Sequence, residues 1–517
     1  MNRFVYFILS LLVITLWSSC RNDFEFSPRT GQLEFSKDTV YLDTVFTNIG
    51  SSTYNLKVYN NTDDNVLIPN INLGFGESSE YRLNIDGVPG KTFENVELLA
   101  QDSMYVFIET TIDINSLPTL NNEFLYTDFI EFGTGTDAQK VELVTLVKDA
   151  VFIYPDRDDT TGIIETLTLN IDGEFVDTEI QGRYLRDFEL TLTNEKPYVI
   201  YGYAAVPPNR TLEIDAGARI HFHADSGIIV TNSASIHVNG GSSIDQEALE
   251  NEVIFEGDRL EPLFEDVPGQ WGTIWLFEGS TDNIFNYATI RNATVGILSD
   301  GNDEDITDKL TISNSQIYNS GNFGILGRAT SIKGSNLVIN NSGQSSFAGT
   351  IGGKYNFTHC TIVNFWNNSF RQFPSVLINN FLVDADNNVL VNDLEEANFN
   401  NCIIYGNDNP EFLIEKEGET LFNFKFTNCL IRFDNSNNAF NAPEYDFTNI
   451  AFYENNIFNA DPDFLDVDNN QLIIGENSAA INQGNSVFAL QVPLDILNND
   501  RTSSPDIGAY QHIIFED

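Results

Sequence analysis

The chain has 517 residues, 26 Lys and Arg against 75 Asp and Glu, and a formal net charge of −49. Its 42% hydrophobic and 12% aromatic content is enough to fill a core, which excludes an intrinsically disordered chain. So acidic a surface would repel a phosphate backbone, which excludes nucleic acid as the default partner. Abundant Asn, Asp, Gly, Ser, Thr, Phe and Ile, with little Ala, Lys or Arg, suit strands and turns rather than helices, so the expected class is all-β.

At the start, Arg3 precedes an apolar run from Phe4 to Trp17, and Ser18-Ser19-Cys20 follows. The run is short for a bilayer span but fits the apolar region of a secretory signal peptide. Its end resembles a bacterial lipobox, departing from that pattern at Trp17, where Leu is usual. The resemblance implies a signal peptide over residues 1–19, lipidation at Cys20 and a membrane partner reached through that anchor. Asp23 and Glu25 are similar to the acidic export signals of Gram-negative surface lipoproteins, which implies a cell-envelope location at the outer membrane and exposure at the cell surface. Residues 20–30 are polar and read as a tether.

Residues 31–150 carry short alternating runs. Tyr54-Asn-Leu56-Lys-Val58, Tyr81-Arg-Leu83-Asn-Ile85 and Val141-Glu-Leu143 place apolar residues two apart, the strand period. Turn chemistry separates them at Asn60–Asp64, Gly74-Phe75-Gly76 and Pro89-Gly90. Roughly seven to nine strands in about 115 residues predict an N-terminal immunoglobulin-like β-sandwich, a spacer or adhesive module.

Residues 151–440 are expected to form one domain, strand-rich and ambiguous over 151–200 and repetitive from about 197 to 440. Ala288, Ser315, Ser335, Cys360, Cys402 and Cys429 mark a reference position, at intervals of 27, 20, 25, 42 and 27 residues. Three residues earlier stand Phe285, Ile312, Ile332, Phe357, Phe399 and Phe426, and two later stand Ile290, Ile317, Leu337, Ile362, Ile404 and Ile431. The reference residue and the one two later share a strand face, whereas an offset of minus three reverses the face on a flat strand. Both are apolar, so a corner must lie between them. Asn and Gly, frequent there, tolerate the left-handed backbone a corner needs. Short strands and corners repeating in this way predict coils stacked through parallel strands, a right-handed parallel β-helix of roughly ten coils and about 48 Å.

Residues Pro197–Asn302 resemble the start of many bacterial parallel β-helix proteins, on the runs Thr211-Leu-Glu-Ile-Asp-Ala-Gly217, Ile236-His-Val238-Asn-Gly240 and Gly269-Gln-Trp271-Gly272. Asp461-Pro-Asp-Phe464, Asn477–Asn485, Asp500-Arg501 and Pro505–Tyr510 look like the terminal cap of the same family, which sets a C-terminal β-helix cap over residues 441–517. Together these parts resemble uncharacterised right-handed β-helix lipoproteins with a pectate-lyase-like fold. That fold carries lyases, hydrolases, adhesins and inert spacers, so the resemblance implies architecture more than activity.

Candidate chemistry is sparse. Cys360, Cys402 and Cys429 share one repeat position, which predicts a ladder of free buried thiols rather than a disulfide or a metal site. His221 and His223 lie two apart on one strand face and read as an outward polar pair; His237 and His359 show no recognisable partner. Lyases of this fold use calcium-binding acids with a Lys or Arg base, and Arg291, Lys309, Arg328, Lys333, Lys354 and Arg371 are the candidate cations. Asp384, Asp386 and Asn388, with Glu395 at the twelfth place, partly imitate a calcium loop, although Val389 stands where the sharp turn needs Gly. Calcium is therefore the one cofactor suggested. Tyr355, Trp366 and Arg371 offer either a sugar-stacking platform or core filled by aromatic side chains. The leading expectation is a non-catalytic glycan- or protein-binding module on the envelope. A calcium-dependent polysaccharide lyase and a structural spacer are the alternatives.

Overall fold

In the computed structural model the described residues are 26–28, 33–119, 121–171, 173–301, 308–436 and 438–515. The expected signal peptide, residues 1–19, and Cys20, the expected lipidation site, lie outside them. The class is all-β, and among the described residues the one α-helix spans four residues, Ser486–Ala489. The chain divides into two compact units between Asp149 and Ala150.

The first unit holds two sheets, one of six strands and one of five. Period-two alternation decides their faces. In Gln139–Lys148, Val141, Leu143, Thr145 and Val147 are buried while Lys140 and Glu142 are exposed. This strand pairs antiparallel with Glu123–Phe132 and parallel with Thr39–Phe46. In the other sheet Tyr54–Asn60 and Tyr81–Ile85 flank Asp102–Thr110, all antiparallel. Inward residues from both sheets, among them Val58, Ile68, Leu83, Val106, Ile130 and Leu143, form one core.

The second unit is dominated by parallel pairing between strands one circuit apart. Three columns of strands recur. Tyr203–Val206 pairs with Gly227–Val230 and then Trp271–Leu276. Thr211–Asp215 pairs with Ser235–Asn239 and then Asn283–Asn286. Arg219–Phe222 pairs with Val253–Gly257 and then Ala288–Arg291. Matched apolar residues stack inward along each column. Phe357, Phe399 and Phe426 are all inaccessible, with successive ring centroids 5.3 and 5.0 Å apart.

The corner is real and uniform. The residue before each reference position has positive φ: 48° at Tyr287, 49° at Asn314, 53° at His359, 53° at Asn401 and 51° at Asn428. This left-handed step turns the chain so that minus three and zero both face inward.

The register corrects one coil of the sequence frame. Ser315 pairs with Leu337 and Ile312 with Gly334, so the reference position there is Leu337, not Ser335. The residue before it, Asn336, has φ 48° and supplies the missing corner. The true intervals are thus 22 and 23 residues instead of 20 and 25. Gly334 misled the reading because its inward space is filled from the next coil. A Cβ on it would lie 2.5 Å from the Phe357 ring.

The 42-residue interval from Cys360 to Cys402 contains an antiparallel hairpin, Phe381–Val383 with Val389–Val391. The C-terminal segment is more than an end cap. Closure of the last coil falls to aromatic side chains, with Phe412, Phe433, Tyr445, Phe447 and Tyr453 packed together. Residues beyond 460 instead run back along the side of the stack. There Leu472, Ile474, Ile507 and Ala509 pack with a patch of aliphatic residues on the stacked strands, Val338, Val363, Ile403 and Leu430.

Candidate functional site

The candidate cations sort themselves by partner. Arg291 pairs with Glu256, and Arg328 grips Asp300 through two bonds of 2.6 and 2.7 Å. Lys309 is buried and donates to the carbonyls of Phe277 and Asp300. Arg371 binds Glu411 with both terminal nitrogens, at 2.9 and 2.7 Å, and Glu411 also accepts from Ser375 and the Asp408 amide. Lys333 and Lys354 remain; among the described residues neither has an ion-pair or hydrogen-bond partner.

Lys354 borders a cleft of about 310 Å³, with Thr330 and Ser331 on one side and Asn392, Asp393 and Glu395 on the other. Its strand, Phe347–Thr358, places it in register with Ser331 on one neighbour and Glu396 on the next. Gly353 makes the close approach beneath it. Its φ is 112°, and a Cβ there would come within 2.4 Å of the Thr330 carbonyl. The inserted hairpin flanks the cleft through Val391. It exposes Leu382, Val383, Val389 and Leu390, each about half open to solvent. On the outward face of the adjoining strands, Asn398 donates to Asn356 at 2.9 Å and Asn356 donates to Glu396 at 3.0 Å. The set is thus a row of amides and hydroxyls, one unpaired ammonium and several carboxylates, chemistry suited to hydroxyl-rich ligands.

The expected aromatic platform is not formed. Tyr355 is fully buried and donates to the Gly352 carbonyl, and Trp366 is buried with its indole N–H on Ser369. The Arg371 guanidinium is spent on Glu411 and is 2% exposed. Phe365 packs edge-on against Phe464 of the C-terminal segment, so aromatic core filling wins.

The calcium loop is not formed either. Asp384 turns its oxygens inward, accepting from the Asp386 and Asn388 amides at 2.9 and 2.7 Å and from the Asn388 side chain at 2.8 Å. These bonds hold its carboxyl below the usual carboxylate range. Glu395 sits past the hairpin at the cleft. Among the described residues no three His, Cys, Asp or Glu side chains converge to hold a metal ion.

Cys360, Cys402 and Cys429 are free and buried. Cys402 and Cys429 donate to carbonyls one coil back, Phe357 and Phe399, and burial pushes the Cys360 and Cys402 thiols well up. His221 and His223 each meet an acid on the next coil, Glu256 at 3.4 Å and Asp258 at 2.8 Å; only His223 is open to solvent, so an outward pair describes half of the arrangement. Asp258 raises the His223 pKa. Two histidines without recognisable partners in sequence acquire them. His237 lies between Glu213 at 2.9 Å and Asp282 at 3.4 Å, and His359 contacts Asn401 and Gly508. Equivalent positions on successive coils were the available signal for the first of these. Gly508, 149 residues away, offered none.

No family model matches the chain, and no curated protein matches it. Several solved structures are similar over parts of it. A PapD-like domain of human CEP192 is 10% identical with a TM-score of 0.15, covering 26% of this chain and 94% of that one. The E. coli chaperone DraB is 14% identical with a TM-score of 0.16, covering 30% of this chain and 83% of that one. The catalytic unit of a GH87 alpha-1,3-glucanase from Streptomyces thermodiastaticus is 9% identical with a TM-score of 0.23, covering 73% and 79%.

Proposed function

We propose that this chain is a lipid-anchored envelope protein, an immunoglobulin-like sandwich followed by a right-handed parallel β-helix, that binds glycans without transforming them. Parallel pairing one circuit apart, with a left-handed corner recurring at Tyr287, Asn314, Asn336, His359, Asn401 and Asn428, supports the helical architecture. The run ending in Ser19-Cys20 supports the anchor. The observation that carries the binding role is the cleft beside Lys354, where an unpaired ammonium meets a protruding hairpin, with the Asn356–Asn398 amide row continuing along the same strands beside it. Hydroxyls of a sugar chain can exchange water for these groups without burying a charge. A glycan array probed with the full chain tests it. Retention of particular oligosaccharides, weakened about tenfold or more by Lys354→Ala with Asn398→Ala, is expected. No retained glycan, or retention unchanged in that variant, would overturn the cleft as the site. Labelling of intact cells tests the location.

A further inference from the structure

A second surface, on the first unit, has the makings of a ligand site. Asp102–Thr110 turns Tyr105 and Phe107 outward, 47% and 41% exposed, while Met104, Val106 and Ile108 fill the core. The two rings are nearly parallel, 21° apart, with centroids separated by 6.1 Å. Large aromatic side chains left adjacent and open at the middle of a sheet are unusual unless something covers them.

What surrounds the rings restricts the occupant. Phe107 pairs with Asn55 on one neighbouring strand and Asn84 on the other. Among the described residues neither amide side chain has a hydrogen-bond partner. Tyr105 pairs with Lys57, whose ammonium lies 5.4 Å from the Tyr105 ring centroid and 5.1 Å from that of Tyr59. Among the described residues Lys57 has no carboxylate partner, in a chain of net charge −49. An apolar protein interface would surround such rings with aliphatic side chains; here they are edged by amides and a cation. The negative ring faces attract the C–H groups of a sugar, the amides suit its hydroxyls, and the ammonium suits a carboxylate.

We propose that this face binds an acidic polysaccharide, its sugar rings on Tyr105 and Phe107, its hydroxyls at Asn55 and Asn84, and a uronate carboxylate at Lys57. The site deepens the glycan-binding reading but stands on different residues from the cleft. The test uses the full chain in affinity electrophoresis with polygalacturonate, with a neutral glucan and with poly-glutamate as the other arms. Polygalacturonate should be retained best. Tyr105→Ala with Phe107→Ala should weaken it about tenfold or more, and Lys57→Met should remove the preference over the neutral glucan. Made in a chain that already carries Lys354→Ala with Asn398→Ala, Tyr105→Ala with Phe107→Ala should weaken retention by the same factor, which separates this site from the cleft; an effect that vanishes there would place the binding at the cleft instead. Equal retention of poly-glutamate would overturn the sugar assignment, as would loss of none of the binding in the aromatic variant or no binding by the parent chain. Unaltered circular dichroism checks that the variants fold.

Discussion

His359 occupies a corner position where neighbouring coils carry Asn314, Asn336, Asn401 and Asn428. Asn401 has its amide orientation set by the Asn485 N–H on its oxygen, so its nitrogen donates to His359 Nε2 at 2.9 Å. The Nδ1–H then donates to the Gly508 carbonyl at 3.3 Å, and the ring is neutral. Burial, with the Arg501 charge adding, holds its pKa well below the ordinary 6.5. The unfolded chain therefore binds the proton that the folded chain refuses. This contribution to stability is complete above about pH 6.5 and is lost as pH falls, at up to about 1.4 kcal/mol per pH unit. His359→Asn should abolish that slope at little cost near neutrality, because Asn already serves the same corner elsewhere. Urea unfolding of both chains at about pH 5 and about pH 7.5 reads this directly, and equal slopes would refute it. The corner itself was legible from the reversed offset between Phe357 and Cys360. The histidine's partner was not, since Gly508 returns from a distant part of the chain.

At the scale of elements, the repeat frame was readable wherever the inward residue was large. It slipped where Gly334 left its place to the Phe357 ring, because hydrophobic pattern records a residue's own side chain and not a neighbour's. The candidate binding residues failed for a related reason. Tyr355 and Trp366 look alike in sequence whether they face solvent or core, and only strand register decides. The C-terminal segment shows what pattern alone could not supply. Its Arg501 is fully buried and donates to Gly508 and Ala509 carbonyls within the segment and to Asn336 on the coil beneath. Asn336 in turn donates to the Leu494 carbonyl, and Asn428 to that of Gln483. These bonds fasten the segment over Val338, Val363, Ile403 and Leu430, an apolar strip that water would otherwise reach. Arg501→Met keeps most of the side-chain volume but takes a charged donor from three buried acceptors, of which Gly508 keeps His359, Ala509 keeps the Ile496 N–H and the Asn336 oxygen is stranded. It should cost about 2–4 kcal/mol in urea unfolding, with increased dye binding to exposed apolar surface. A change under about 1 kcal/mol would mean the apolar cover alone holds the segment.

For the whole molecule, the division between Asp149 and Ala150 has a measurable consequence. Each unit has a core of its own, one built around residues such as Val58, Val106 and Leu143, the other around the stacked columns of the coils. The composition shift from alternating runs to a fixed repeat made two architectures legible, although the place of the boundary depends on backbone pairing. Asp149 donates its N–H to the Asn122 carbonyl in the first unit, and Val151 donates to that of Pro197 in the second. Units with separate cores generally unfold as separate cooperative transitions. The chain also carries its own reporter: of its four tryptophans, Trp17 precedes the described residues and Trp271, Trp275 and Trp366 all lie in the second unit. Trp271 and Trp366 are buried, so their emission should shift when the coils open and stay silent when the first unit does. Guanidinium unfolding of residues 20–517, which omits Trp17, should therefore give two steps by far-ultraviolet circular dichroism but one by tryptophan fluorescence. Coincident single transitions by both probes would show that the units stabilise each other and unfold as one.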